Sequence, residues 1–169
     1  MTPSTLLKNN RNHVAVSVPP VVTPITAVIG TKLLDLAQIA YVKRYRPLNE
    51  PLELLTPEVR AKMGVGVNSV DRQLAFEGIP DPEAQSQFLA ELRAALAAAG
   101  LLERFFEMPD GTILRPELVV SGDYGSVANG CIVRLYGRAG DKPMMTCLCA
   151  SEAECENSLQ ALSKRLNVV

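Results

Sequence analysis

The chain has no tryptophan, and aromatic residues make up only 5% of its 169 residues. A core of ordinary size must therefore be built from Leu, Val, Ala, Ile and Met. Histidine is almost missing too. The single one, His13, stands near the N-terminus, which argues against Ser-His and Cys-His nucleophile systems. Long apolar runs are absent. The stretch from Val14 to Ile29 is broken by Pro19, Pro20 and Pro24, so it lacks the h-region of a secretory signal, and nothing approaches a membrane span. Cysteine is absent from the first 130 residues; Cys131, Cys147, Cys149 and Cys155 all lie near the C-terminal end. With no signal before them they read as reduced thiols of a cytoplasmic protein. A large charge excess is missing as well, since the net charge is -1.

The 47% hydrophobic and 21% charged residues are near globular averages, and the length suits one domain with a real core. Charge is unevenly spread. Residues 1–50 carry six Lys or Arg against Asp35 and Glu50, whereas residues 51–120 carry eleven acidic and six basic groups. A basic front on an acidic body permits a local anionic contact.

Residues 1–30 read as an extended arm, with Val14, Val16 and Val18 alternating with small residues. Such an arm can dock on a partner's sheet edge. Thr31 to Tyr45 reads as a helix with Leu33, Leu36, Ala37, Ala40 and Tyr41 on one side. Thr56-Pro57-Glu58 starts a short helix that Gly64 and Gly66 stop, and Asn68 opens another. Asp81-Pro82-Glu83 opens the clearest helix, with Phe88, Leu92, Ala95, Leu96 and Ala99 at helical spacing and Gly100 as its stop.

After Leu102 the pattern changes to hairpins. One turns at Pro109-Asp110-Gly111. Residues 121–130 read as a Gly-rich loop without the ending of a nucleotide-binding loop. Cys131–Arg138 and Pro143–Cys149 read as a second hairpin centred on Gly140-Asp141, which opposes Ile132 to Cys149 and Arg134 to Cys147. That register sends Cys131 to the face opposite Cys147 and Cys149, so no metal site is expected, and the thiols act as buried apolar groups. Ser151-Glu152-Ala153-Glu154 is a capping box that launches a last helix with Leu159, Leu162 and Leu166 inward. The expected class is α+β: a helical N-terminal half, residues 31–100, packed with a C-terminal antiparallel sheet of hairpins and a terminal helix.

Two segments carry the functional expectation. In Gly64-Val65-Gly66-Val67-Asn68-Ser69-Val70-Asp71-Arg72-Gln73-Leu74, an aliphatic residue stands six positions after the first Gly, an Arg at eight and a Leu at ten. Residues 56–74 thereby resemble the turn and recognition helix of helix-turn-helix DNA-binding proteins. The resemblance implies that Val70 and Leu74 anchor the helix while Asn68, Ser69, Arg72 and Gln73 face duplex DNA. The second segment, Tyr41-Val42-Lys43-Arg44-Tyr45-Arg46, interleaves Lys43, Arg44 and Arg46 with aromatics, a composition that grips phosphate. The expectation is a non-catalytic DNA-binding or nucleoprotein accessory factor without a cofactor, acting as a homo-oligomer. The alternative is a non-catalytic protein-binding module, an adaptor, inhibitor or assembly factor that uses the N-terminal arm or a sheet edge.

Overall fold

A computed structural model describes residues 25–48 and 50–167 of the chain. Most of the expected arm lies outside them. Its last residues, Thr26–Ile29, form strand β1, which turns at Gly30 (φ 58°) into β2, Lys32–Asp35. A 3₁₀ turn at Leu36–Gln38, capped by the Asp35 carboxylate, leads into β3, Tyr41–Tyr45. The short helix α1, Pro57–Arg60, follows, then β4, Gly64–Asn68, and β5, Gln73–Gly78. The long helix α2 spans Pro82–Ala98. Two-residue strands β6, Phe106–Glu107, and β7, Ile113–Leu114, flank the Pro109-Asp110-Gly111 turn. Strands β8, Ser121–Val127, β9, Gly130–Tyr136, and β10, Met145–Cys149, precede the last helix α3, Glu152–Leu166.

The strands make three antiparallel sheets: the β1–β2 hairpin, a five-stranded sheet in the order β5-β4-β3-β7-β6, and a three-stranded sheet in the order β10-β9-β8. The molecule is richer in strand than expected, and the helical N-terminal half is a misreading. Thr31–Tyr45, expected as a helix, is β2, a 3₁₀ turn and β3. The Leu and Ala spacing suits a helix, but Tyr41, Lys43 and Tyr45 alternate with Val42 and Arg44, which is the period of a strand.

The helix-turn-helix expectation fails at the same level. Gly64–Asn68 is a central strand, and Gln73–Leu74 opens the next one rather than lying on a recognition helix. Gly64 and Gly66 do not adopt positive φ. They alternate with Val65 and Val67, which are fully buried toward α2. The alternation leaves no Cβ on the other face, and there the Tyr45 ring covers Gly66 while the Phe76 ring covers Gly64. Those two rings meet edge to face with centroids 5.4 Å apart. A strand with Val on one side and bare backbone under aromatic rings on the other has the same Gly-Val spacing as a Gly-containing turn. Val70, expected as a buried anchor, is 69% exposed in the β4–β5 turn.

Each face of the five-stranded sheet has its own core. Val42, Val65, Val67 and Ile113 meet Phe88, Leu89, Leu92 and Leu96 of α2 and Ile29 and Leu34 of the first hairpin. On the opposite face, Tyr41, Phe106 and Leu114 join Val133, Leu135, Met145, Cys147 and Cys149 of the three-stranded sheet, with Cys155 and Leu162 of α3. Helix α2 begins as the sequence suggests. The Asp81 side chain accepts from Ala84 N–H, Pro82 occupies the first turn, and Gly100 (φ 69°) follows the end. Helix α3 is capped by Ser151, which accepts from Glu154 N–H, and the Glu154 carboxylate accepts from Ala150 N–H.

The expected Gly-rich loop is mostly strand: Ser121–Val127 is β8, joined to β9 by a two-residue turn. The second hairpin forms where expected, one residue out of register. Cys131 opposes Cys149 and Val133 opposes Cys147. A one-residue slip moves a side chain to the other face, so Cys131, Cys147 and Cys149 share one face.

Candidate functional site

The largest change to the functional picture comes from where β7 stops. It pairs with Tyr41 and Val42 only, because the chain before it is folded into the Met108–Thr112 turn. There Gly111 N–H donates to Met108 O, and Asp110 accepts from the Thr112 backbone N–H and hydroxyl. Past Val42, β3 pairs with no strand on that side among the described residues. The gap is a cleft of about 350 Å³ lined by Lys43–Leu48, Val59, Lys62, Met63, Asp110 and the Pro143–Thr146 edge with Leu148.

Four cationic residues border it, Lys43, Arg44, Arg46 and Lys62; Arg44 is fastened to α2, which leaves Lys43, Arg46 and Lys62. None of them forms an ion pair among the described residues, where the ion pairs are Arg93–Glu107 and Arg134–Asp123. Asp110 is the carboxylate in the lining. Its Oδ1 is already engaged by Thr112. Lys43 Nζ sits 4.9 Å from the centre of the Tyr45 ring, which holds the ammonium at the wall. Lys62 comes from the turn after α1 and Arg46 from the end of β3, so two separate segments supply the charge. The remaining wall is apolar, from Tyr45, Pro47, Met144 and Leu148.

Arg44 has a different place. It lies on the α2 face of the sheet, where its guanidinium donates to the Pro82 carbonyl and the Ser86 hydroxyl. Burial pushes its pKa down, partly countered by Asp110. It is a fastener between β3 and α2.

The expected recognition residues do not form one surface. Asn68 and Ser69 are buried. Asn68 donates to the Gly66 carbonyl, and the Ser69 hydroxyl donates 2.6 Å to Asp71 and accepts from Arg72 N–H. They build the β4–β5 turn. Arg72 and Gln73 are exposed, Arg72 in that turn and Gln73 at the start of β5. The turn stands beside Tyr41, whereas Lys62 and Arg46 stand beyond Tyr45 and Gly64 at the other end of the same paired strands. The strand between spans roughly 14 Å at about 3.4 Å per residue. Of the two expected segments, the Lys43–Arg46 segment therefore contributes to the cleft and the Asn68–Gln73 segment does not.

Sequence reasoning missed Lys62, Asp110, Pro143 and Met144. Nothing in their spacing links them; only β3, α1 and the β10 edge meeting in space does.

Among the described residues, no group of three or more His, Cys, Asp or Glu is placed to hold a metal ion. No helix among them is long and apolar enough to cross a membrane. Comparison of the chain with protein-family models, with curated proteins and with solved structures finds no match in any of the three.

Proposed function

We propose that this protein is a non-catalytic nucleic-acid-binding accessory factor whose cleft takes a short single-stranded stretch of phosphate backbone. The observation that carries the reading is the convergence of Lys43, Arg46 and Lys62 on one concave cleft with an aromatic wall. Cations that track a backbone beside a ring are the elements of sequence-tolerant strand binding. A concave cleft of this volume suits one strand. Duplex DNA fits less well, because Arg72 stands at the far end of the sheet from the three cations.

The test is fluorescence anisotropy with a labelled ten-nucleotide single strand and with a duplex of the same sequence, each at two salt concentrations. Neutralising three phosphates gives a log–log salt slope of about -2 for a single strand. Arg46→Glu with Lys62→Glu is expected to weaken strand binding at least tenfold without loss of folding. Absence of binding at low salt by the folded protein, or binding indifferent to the double substitution, would remove the reading.

A second reading has its own observation. On the outer face of the β1–β2 hairpin, Val28 and Leu33 oppose each other directly and are 70% and 71% exposed. Ile25 is exposed beside them in sequence. An apolar cross-strand pair left in water suits a protein partner. Val28→Lys with Leu33→Lys would abolish such an association and leave strand binding unchanged.

A further inference from the structure

Cys149 stands between two other thiols. Across the sheet it directly opposes Cys131, with both side chains on the face that meets α3. From the first turn of α3, Cys155 is buried in the same cluster. All the cysteines are free, and Cys131 alone among them is half-buried rather than buried. Residues opposed in an antiparallel pair have Cα atoms about 4.5 or about 5.5 Å apart, depending on the pair type. Both separations lie within the range of about 4.4–6.8 Å that a disulfide spans. Two cysteines directly opposed on one face therefore stand at the Cα separation a disulfide requires.

We propose that Cys131 and Cys149 form a reversible oxidation site, in which Cys131 meets a hydroperoxide and Cys149 resolves it as an intrachain disulfide. In the first step the Cys131 sulfur attacks the peroxide O–O bond. The thiol becomes a sulfenic acid, and hydrogen peroxide leaves one water. In the second step the Cys149 sulfur displaces the sulfenic hydroxyl as a second water, and the S–S bond forms. Overall, two thiols and one peroxide give one disulfide and two waters. The direction follows from access: solvent reaches Cys131, while Cys149 is 3% exposed. Burial also pushes the Cys149 thiol well above the ordinary range, so it is a poor first nucleophile in solution. Attack on a sulfenic acid held across the strand pair asks less of it, because the two residues are already directly opposed. Cys155, buried in the same cluster, offers a route for thiol exchange. Cys147 stays outside the pair; it opposes Val133 and lies 3.4 Å from the Thr112 hydroxyl.

The sequence makes the test direct. Trypsin does not cut Arg115-Pro116 or Lys142-Pro143, so Cys131 falls on the 105–134 peptide and the other three cysteines on 139–164. The full chain is treated with hydrogen peroxide, alkylated without reductant and digested. The expected product is a cross-link between the two peptides, two hydrogens lighter than their sum, with two of the four thiols lost and dithiothreitol restoring both. Fragmentation should place the bond at Cys149. Cys131→Ser should abolish the cross-link and Cys155→Ser should keep it, and the melting profile of each variant reports folding. A bond confined to the 139–164 peptide, oxidation of Cys131 to sulfinic acid without a cross-link, or a cross-link formed only after urea unfolding would overturn the proposal.

Discussion

Replacing Gly64 and Gly66 one at a time by alanine tests the central strand directly. Neither glycine has positive φ, so alanine adopts the same backbone freely and the cost is set by space alone. At Gly64 the new methyl carbon falls inside van der Waals contact of the Glu77 carbonyl oxygen and 2.7 Å from Phe76 Cζ. The carbonyl belongs to the paired strand β5, so relief requires the β4–β5 pairing to shift. At Gly66 the methyl meets Tyr45 Cε2 at 2.6 Å and Gln73 Nε2 at 2.8 Å, both side-chain atoms. The Gln73 side chain can swing away, and only the ring must yield.

Overpacking costs about 1–3 kcal/mol, and Gly→Ala regains about 0.4–1 kcal/mol from the unfolded chain. Gly64→Ala should therefore destabilise by about 2–2.5 kcal/mol and Gly66→Ala by about 1 kcal/mol. In a domain of this size the first lowers Tm by roughly 4–10 °C. Urea unfolding monitored by circular dichroism, with both substitutions repeated on a Tyr45→Ala background, measures the effect. On that background Gly66→Ala should cost close to nothing, while Gly64→Ala keeps most of its penalty. Equal costs at the two sites, or a Gly66→Ala penalty indifferent to Tyr45, would refute the account of rings laid over bare backbone.

Val70→Asp should change stability by no more than about 0.5 kcal/mol, because Val70 is exposed in a turn; unfolding of this variant in a thermal melt would restore it as a buried anchor. The Ser69 hydroxyl, with the Asp71 backbone, holds the Asp71 carboxyl below its ordinary pKa of 3.8. A depressed pKa supplies stability that is full above the unfolded value and lost as pH falls through the folded one. Ser69→Ala should raise the Asp71 pKa, read by carboxyl NMR titration, and the acid side of the stability profile should flatten at this group.

Local chemistry made several elements legible before the structure. Helix α2 announced itself through Asp81, Pro82 and Gly100, and α3 through Ser151 and Glu154, since capping groups act within a few residues. The Pro109-Asp110-Gly111 turn was readable for the same reason. Register was not. Placing the β9–β10 turn one residue off sent Cys131 to the wrong face, and no local preference penalises that error; only the shared core does. Glycine was the deepest trap. Gly64 and Gly66 suggest a helix stop and a turn, but what matters there is the missing Cβ, which has meaning only with Tyr45 and Phe76 lying above. In the cleft, Lys43 and Arg46 were found because they are neighbours in sequence. Lys62 and Asp110 were not, because they arrive from distant segments.

The junction between β3 and β7 has a kinetic consequence. Tyr41 pairs with Leu114, and the Arg115 guanidinium reaches back to the Ala37 carbonyl, across more than seventy residues of chain. Closing a loop of that length costs about 4 kcal/mol of chain entropy on a logarithmic scale. The segment from Ser121 to Leu166 carries no such burden, since β8, β9, β10 and α3 follow one another in order. β3 and β4 are close in sequence and can pair as soon as both have left the ribosome. The other side of β3 then waits for Leu114, and until it arrives that edge is an open template for any extended chain nearby. Nascent chains stopped before residue 113 are the species most exposed to mispairing.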